Sequence, residues 1–244
     1  MMIKYVLNIN IVTVKFSSLN RCHGEKSPLY KLIIKFLLVL QYYIRPGFAE
    51  VGIFICIDSQ PHYDKRDIMG IILKPQAGEF PAYASMYIDL IPNDGRLLQH
   101  LEHNYASSRK LIQSIPEGKL YYRYAEGKWT IKEILVHIID DERIYAYRAL
   151  RFARKDKTEL PGFEQEDYAA NSNANGRSIE SILHEFETVR KSTISLFENF
   201  TEEMFSRSGI ANGNNVSVRA LGYHIAGHEK HHVNIIKDRY LLEG

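Results

Sequence analysis

The sequence predicts an all-α protein, a four-helix bundle that follows an N-terminal extension of unassigned structure. Three observations predict this class. Apolar residues recur at helical spacing from residue 92 onward, start and stop signals divide that stretch into four segments of about 20–27 residues, and no strand pattern is visible after residue 69. Four amphipathic helices of this length are typical of a four-helix bundle.

The first two helices are predicted from their end signals. The first covers residues 94–115 and is stopped by Pro116. The second covers residues 130–155, because Thr130 and Glu133 have the spacing of a capping box, in which each side chain satisfies a free backbone donor at the helix start.

The last two helices follow connections rich in Gly and Asn. The third is predicted over residues 178–200, after a loop from Leu160 to Gly176. A Gly/Asn turn at residues 209–215 separates it from the fourth, which starts near Ser217 and runs almost to the C-terminus. We expect the long loop to cover part of any site in the bundle, since connections of that length often carry function.

Composition excludes several classes of protein. The chain is 45% hydrophobic and 25% charged, with a net charge of +2, so nothing indicates a nucleic-acid surface. No apolar run reaches the roughly 18–20 residues that span a membrane, and Cys22 and Cys56 are too few for a disulfide framework. We therefore expect a cytoplasmic protein that acts on a small molecule, has no nucleic-acid or membrane partner, and is a homodimer by default.

Residues 1–68 differ from the rest of the chain. They are more basic, they hold both cysteines, and Met69 opens a stretch that resembles a normal start. Two interpretations stay open: these residues are upstream sequence that the folded domain does not need, or they form an extension packed on its surface.

Two predicted helices place polar residues where the inward seam of a bundle requires Leu or Ile. The seam of the fourth helix is Leu221, Ile225, His228, His232 and Ile235. The seam of the second is Ile131, Ile134, His137, Asp141, Ile144 and Arg148. Polar groups left unpaired there would cost a few kcal/mol each, and a shared metal ion would remove that cost.

We therefore predict that His137, His228 and His232 bind one divalent metal ion and leave a coordination position open, as catalytic metal sites do. The metal is Zn, Ni or Fe, because imidazole suits each of them. Such a site could activate either a thiol or a water molecule. Asp141 is the predicted catalytic residue, able to accept a proton or to orient a ligand, and its alternative role is an ion pair on the helix surface.

Other interpretations apply to the same residues. The stretch from His228 to His232 reads H-E-x-x-H, the zincin signature, in which Glu229 would be the general base. A zincin normally takes its third ligand after the motif, and among the few residues that follow only Glu243 qualifies, so we disfavour this interpretation. The histidines could also be packed core residues, with His224 and His231 in supporting or surface positions.

Three further charged residues have two possible roles each. Glu142 is expected to pair with a cation, such as Arg143 or Arg219, as a structural strut. Arg148 and Arg151 could bind an anionic substrate or thiol, although a solvated helix face is the simpler interpretation.

Two stretches resemble a known family. Residues 129–142, WTIKEILVHIIDDE, are similar to the W-[ST]-x-x-[EQ]-x-x-x-H-x-x-x-x-E stretch of the DinB/YfiT-like proteins, and residues 227–236 are similar to their C-terminal H-x-x-H-H stretch. The resemblance covers residues 79–242. It implies a domain of residues 79–244 with the family's four-helix bundle, preceded by an extension of residues 1–78 with no counterpart.

The resemblance also implies a metal site and a set of activities. The family holds a divalent metal with three histidines, which correspond here to His137, His228 and His232. Its members include S-transferases that use bacillithiol or a related low-molecular-weight thiol, a mycothiol-dependent isomerase, and metal-dependent hydrolases. We therefore expect a metal-dependent transferase, with such a thiol as co-substrate, or a hydrolase. The alternative is a non-catalytic metal-binding or dimerising module.

Overall fold

The computed structural model describes residues 71–241 of the 244-residue chain, so most of the predicted extension, as well as Glu243, lies outside the described residues. In chain order, the α-helices and β-strands are α1 (Ser85–Ile88), α2 (Leu97–Gln113), α3 (Ile131–Ala153), α4 (Gln165–Asn171), α5 (Ile179–Glu198), α6 (Glu202–Ser206), β1 (Ser208–Ala211), β2 (Asn214–Ser217) and α7 (Val218–Ile235), followed by a π-helical turn at Ile236–Leu241. Short 3-10 helices lie at Ala82–Ala84, Glu117–Tyr121 and Ala174–Gly176. Within the described range, no helix is long and apolar enough to cross a membrane.

The predicted four-helix bundle is confirmed, with α2, α3, α5 and α7 as its long helices. The capping box at the start of α3 is present, since Thr130 and Glu133 each bind the other's backbone N–H. Ser178 and Ser217 cap α5 and α7 through their hydroxyls. The first predicted helix starts later than expected because Gly95 has a φ of 75°, a left-handed conformation that an α-helix cannot include.

The order of the helices around the bundle differs from that of a simple up-and-down bundle. Helix α2 packs against α5 and α7, and α3 packs against the same two helices. Helices α2 and α3 therefore lie at opposite corners, as do α5 and α7, whereas α3 and α7 are direct neighbours. This adjacency brings the two predicted polar seams together.

The expectation that no strand follows residue 69 is wrong. The Gly/Asn turn is a β-hairpin, in which β1 and β2 pair antiparallel from Ser208 with Ser217 to Ala211 with Asn214. Asn212 and Gly213 join the strands with φ values of 49° and 70°, as in the tight turns of hairpins. Each strand has only four residues, SGIA and NNVS, and neither alternates between apolar and polar residues, which is the pattern that identifies a strand in a sequence.

The hairpin also holds the loop that follows α3. The backbone N–H of Leu160 donates to the carbonyl of Ile210, and the N–H of Asn212 donates to the carbonyl of Leu160. Helix α4 occupies the middle of the same loop. The predicted loop from Leu160 to Gly176 is thereby hydrogen-bonded to the hairpin that directly precedes α7.

Two apolar clusters fill the bundle, and a polar layer lies between them. One cluster contains Ile134, Leu183 and Phe186, and the other contains Leu97, Phe197 and Leu221. The central polar layer takes one buried residue from each long helix: Ser108 from α2, Glu142 from α3, Arg190 from α5 and Glu229 from α7.

Hydrogen bonds centred on Arg190 connect the residues of this layer. Arg190 donates to Glu142 at 2.8 Å and to Glu229 at 2.8 Å, and Ser108 donates to Glu229 at 2.7 Å. The cation that Glu142 was expected to bind is therefore Arg190, and neither Arg143 nor Arg219.

The described residues before the bundle contact α7. Ile72 is buried, its N–H donates to the carbonyl of Gly95, and its carbonyl accepts the Tyr223 hydroxyl at 2.8 Å. The domain boundary between residues 78 and 79 stays a prediction.

Candidate metal centre

Three histidine side chains from neighbouring helices converge. His137 lies on α3, while His228 and His232 lie one turn apart on α7. Nε2 of His228 is 3.1 Å from Nε2 of His137 and 3.1 Å from Nε2 of His232. The structure thus brings together the three residues predicted as ligands, and their nearest ring nitrogens all lie within 4.8 Å of one another.

The geometry of this group fits a divalent ion. Two nitrogens bound to one zinc ion at about 2.0–2.1 Å in tetrahedral geometry lie roughly 3.3 Å apart, close to the observed 3.1 Å. A neutral imidazole carries a proton on one nitrogen, so three converging nitrogens cannot all hydrogen-bond to one another. The far nitrogens, Nδ1 of His137 and of His232, are buried without a hydrogen-bond partner among the described residues.

Burial keeps these rings neutral. It lowers the pKa of His228 and of His232 well below the usual value, and the other histidines nearby lower it further. Burial also lowers the pKa of His137, although the charge on Asp141 opposes that shift. Neutral imidazole is the form that binds a metal.

Asp141 lies beside the histidine cluster rather than in it. Its Oδ2 is 3.4 Å from Nδ1 of His228 and 3.3 Å from Nε2 of His224, distances of an ion pair without the angles of a hydrogen bond. A carboxylate at the far nitrogen of a ligating histidine orients the ring. Of the predicted roles, this position favours orientation, and the surface ion pair with an Arg or Lys is not formed among the described residues.

Aromatic side chains that sequence reasoning missed enclose the cluster. Tyr145 stacks on His224 with ring centroids 3.8 Å apart, and Tyr87 places its ring edge 4.9 Å from His224 and 5.2 Å from His228. On the other side, Trp129 lies 4.7 Å from His137. The sequence could have indicated Tyr145, because it lies four residues after Asp141 and residues four apart share a helix face.

A cavity of about 330 Å³ opens beside Asp141, His224 and His228. Residues 162–165 of the long loop line it, as does Arg148. The loop also reaches the opposite side of the histidines, where Glu166 accepts a hydrogen bond from Trp129 Nε1 at 3.0 Å. The expected contribution of this loop to the site is therefore observed.

The structure excludes the zincin arrangement. The general base of that motif must face the metal, whereas Glu229 is fully buried in the central polar layer, where it accepts hydrogen bonds from Ser108 and Arg190.

Known proteins share this fold and sequence pattern. Residues 100–236 match the model of the DinB superfamily. A protein of Oceanobacillus iheyensis named "putative metal-dependent hydrolase" is 31% identical over 128 residues, which are 52% of this chain and 73% of that protein. A protein of the same name from Geobacillus thermodenitrificans is 25% identical over 99 residues, 41% of this chain and 56% of that protein.

A solved structure supports the architecture. YfiT from Bacillus subtilis, described as "a probable metal-dependent hydrolase with an unusual four-helix bundle topology", superposes with a TM-score of 0.54 at 16% identity, over 60% of this chain and 85% of that one. At that identity the likeness shows the fold. The family match rests on sequence, and it spans residues 100–236, more than half of this chain. The chain therefore belongs to the DinB superfamily.

Proposed function

We propose that this protein is a metal-dependent hydrolase that acts on a small molecule, with one divalent metal ion held by His137, His228 and His232. The observation that carries the proposal is the convergence of three neutral imidazoles without a fourth ligand side chain among the described residues. Structural metal sites are closed by four protein ligands, whereas catalytic sites keep a position for substrate. A divalent ion bound in this way activates water as a nucleophile and polarises a carbonyl group.

The residues around the histidines have separate roles in this proposal. The Asp141 carboxylate, 3.4 Å from Nδ1 of His228, favours the ring form with its proton on Nδ1, so that the lone pair on Nε2 faces the other two histidines. Tyr87 and Trp129 shield the rings from bulk water on two sides. The cavity beside His228 admits the substrate.

A second candidate is S-transfer from a low-molecular-weight thiol. Residues 71–241 contain no cysteine, so a sulfur nucleophile would have to come from outside, and the cavity leaves room for one next to His228. A metal ion held by the same histidines would then favour the thiolate form of the co-substrate.

Metal content is the first test. We expect purified wild-type protein to hold about one equivalent of Zn, Ni or Fe, as catalytic sites of this type do. His137→Ala and His232→Ala should lose it, whereas His103→Ala, a change at an exposed residue of α2, should keep it. The proposal would be contradicted if the wild-type protein is metal-free and gains no thermal stability from added Zn²⁺ or Ni²⁺.

Activity then separates the two reactions. The metal-loaded protein is assayed with small esters and amides, with and without an added thiol. Turnover without thiol that is lost in His137→Ala supports hydrolysis, and turnover only in the presence of thiol supports S-transfer.

A further inference from the structure

Arg148 is a buried cation without a matching anion. The residue is 5% exposed, and its guanidinium lies 5.0 Å from the centre of the Tyr145 ring. Nη2 donates to the carbonyl of Pro161 at 2.7 Å. Among residues 71–241, no carboxylate lies within ion-pair distance of Arg148, and its hydrogen bond is made by Nη2, which leaves Nε and Nη1 as free donors. The sequence interpretation that favoured a solvated position for Arg148 is wrong.

The positive charge of the buried Arg148 guanidinium calls for a negatively charged partner. Removing a guanidinium from water costs free energy, and a carboxylate partner offsets that cost. Arg190 shows the usual solution in this same bundle, with two carboxylates within 3 Å. Arg148 instead lines the cavity next to the candidate metal centre.

The distance between Arg148 and the histidines limits the length of a ligand that could contact both. His137, Asp141, Tyr145 and Arg148 follow one face of α3, since they are three or four residues apart. At 1.5 Å per residue, Asp141 and Arg148 are about 10 Å apart along the helix axis. The cavity joins these two points, and Tyr145 lies between them.

We propose that the substrate carries a carboxylate group, which Arg148 binds through its free Nε and Nη1 donors, while the reacting bond lies about 10 Å away near Asp141 and the histidines. The proposal rests on the proposed function only in placing the reacting bond there. Phe163 and Tyr145 line the space between the two ends and suit an apolar or aromatic body. A singly charged carboxylate fits better than a phosphate, because Glu164 and Asp141 line the same cavity and would repel a second negative charge.

The test uses two ligands with the same carbon skeleton, 4-phenylbutyrate and 4-phenylbutanol, which end in a carboxylate and in a neutral hydroxyl group. Their affinities for the full-length protein are measured by calorimetry or ligand-observed NMR, both with Zn²⁺ and after treatment with a chelator. We expect the wild-type protein to bind the carboxylate at least about tenfold more tightly than the alcohol in both conditions, as charge-assisted hydrogen bonds to arginine do. Arg148→Met should remove this preference and leave the affinity for the alcohol unchanged.

Two variants control for indirect effects. Arg148→Lys keeps the charge and should keep part of the preference. Arg151→Met removes a cation that pairs with Asp156 outside the cavity, and it should behave as wild type. The unchanged affinity of Arg148→Met for the alcohol shows that the cavity is still formed.

Two results would overturn the proposal. One is equal affinity of the wild-type protein for both ligands after chelation. The other is a preference for the carboxylate that survives in Arg148→Met and disappears with the chelator, because the carboxylate would then bind the metal. A protein that shows the Arg148-dependent preference but holds no metal would refute the proposed function and leave the carboxylate site standing.

Discussion

At the scale of single residues, Asp141 is the acidic side chain that faces the His228 ring. The carboxylate faces Nδ1 of His228, and no other acidic side chain among the described residues lies within ion-pair distance of this ring. Acidic partners of metal-binding histidines raise the basicity of the ring and hold its angle. In the proposed metal centre, Asp141 would therefore position the His228 ring, and its replacement is expected to weaken metal binding.

We expect Asp141→Asn to weaken Zn²⁺ binding by roughly 10–100-fold, because the amide keeps the shape of the side chain and loses its charge. The measurement is competition with a zinc indicator. Asp140→Asn is the matched control, since Asp140 lies one residue earlier and pairs with Arg143 on the outside of α3. Equal losses in the two variants would contradict the assigned role.

The lowered pKa values of the histidines predict the pH dependence of the metal-free protein. A histidine in an unfolded chain takes up a proton near pH 6.5, whereas burial lowers the pKa of His228 and His232 in the folded state. The unfolded state therefore binds more protons as the pH falls below 6.5, and the free energy of unfolding should decrease.

Urea unfolding of chelator-treated protein between pH 7.5 and pH 5.5 measures this dependence. In a His228→Gln variant the decrease should be smaller, because one of the titrating groups is gone. An identical pH profile in that variant would show that His228 is not buried in its neutral form.

At the scale of elements, the contact of α1 with α7 depends on one glycine. A Cβ atom at Gly227 would overlap the backbone carbonyl of Tyr87, on α1. The absence of a side chain lets α1 approach α7 closely, and this contact places the Tyr87 ring against the histidines. Gly227 is directly before His228 in the sequence, so the same turn of α7 carries both the contact and the site.

We expect Gly227→Ala to lower the free energy of unfolding by about 1–3 kcal/mol, the usual cost of overpacking against a backbone that cannot move far. Urea denaturation measures the change. Gly118→Ala is the control, because a Cβ atom there would meet nothing within 4 Å. If both variants unfold alike, α1 is not held tightly against α7.

The β-hairpin is the other element on which the site depends. It connects α6 to α7, it binds the backbone of Leu160, and its residues Ala211 and Val216 line the cavity. The loop after α3 is thereby placed over the end of the cavity that holds Arg148. The strands β1 and β2 thus help to form the surroundings of Arg148, although Arg148 lies on α3, far from them in the sequence.

At the scale of the whole molecule, the central polar layer joins all four long helices. Arg190 carries one positive charge and Glu142 and Glu229 carry two negative charges when ionised, all of them buried. Burial raises the pKa of Glu229, although Arg190 opposes that shift. Without Arg190, both carboxylates would be left buried without a cation.

We expect Arg190→Met to destabilise the protein by roughly 3–5 kcal/mol, the cost of leaving buried charges unpaired. Arg109→Met is the control: Arg109 pairs with Glu187 on the exposed face of the bundle, and its loss should cost less than about 1 kcal/mol. The two values come from chemical denaturation at pH 7. A cost below 1 kcal/mol for Arg190→Met would mean that the layer contributes little to folding.

The four long helices and the three histidines that converge were predictable from the sequence by itself. The capping box of Thr130 and Glu133 depends on residues three apart, and the pairing of His228 with His232 depends on residues four apart. His137 was recognisable because it interrupts an apolar seam. Such patterns depend on the repeat of one helix, so they can be read along the chain without knowing its neighbours.

Only the tertiary structure decided which helices are neighbours and what surrounds the charged residues. Glu142 and Glu229 meet Arg190 across 48 and 39 residues of sequence, and Arg148 is buried next to a loop that a distant hairpin holds in place. The burial of a side chain and its ion-pair partners depend on which segments pack together, and that choice is made by the summed free energy of the whole core rather than by local spacing.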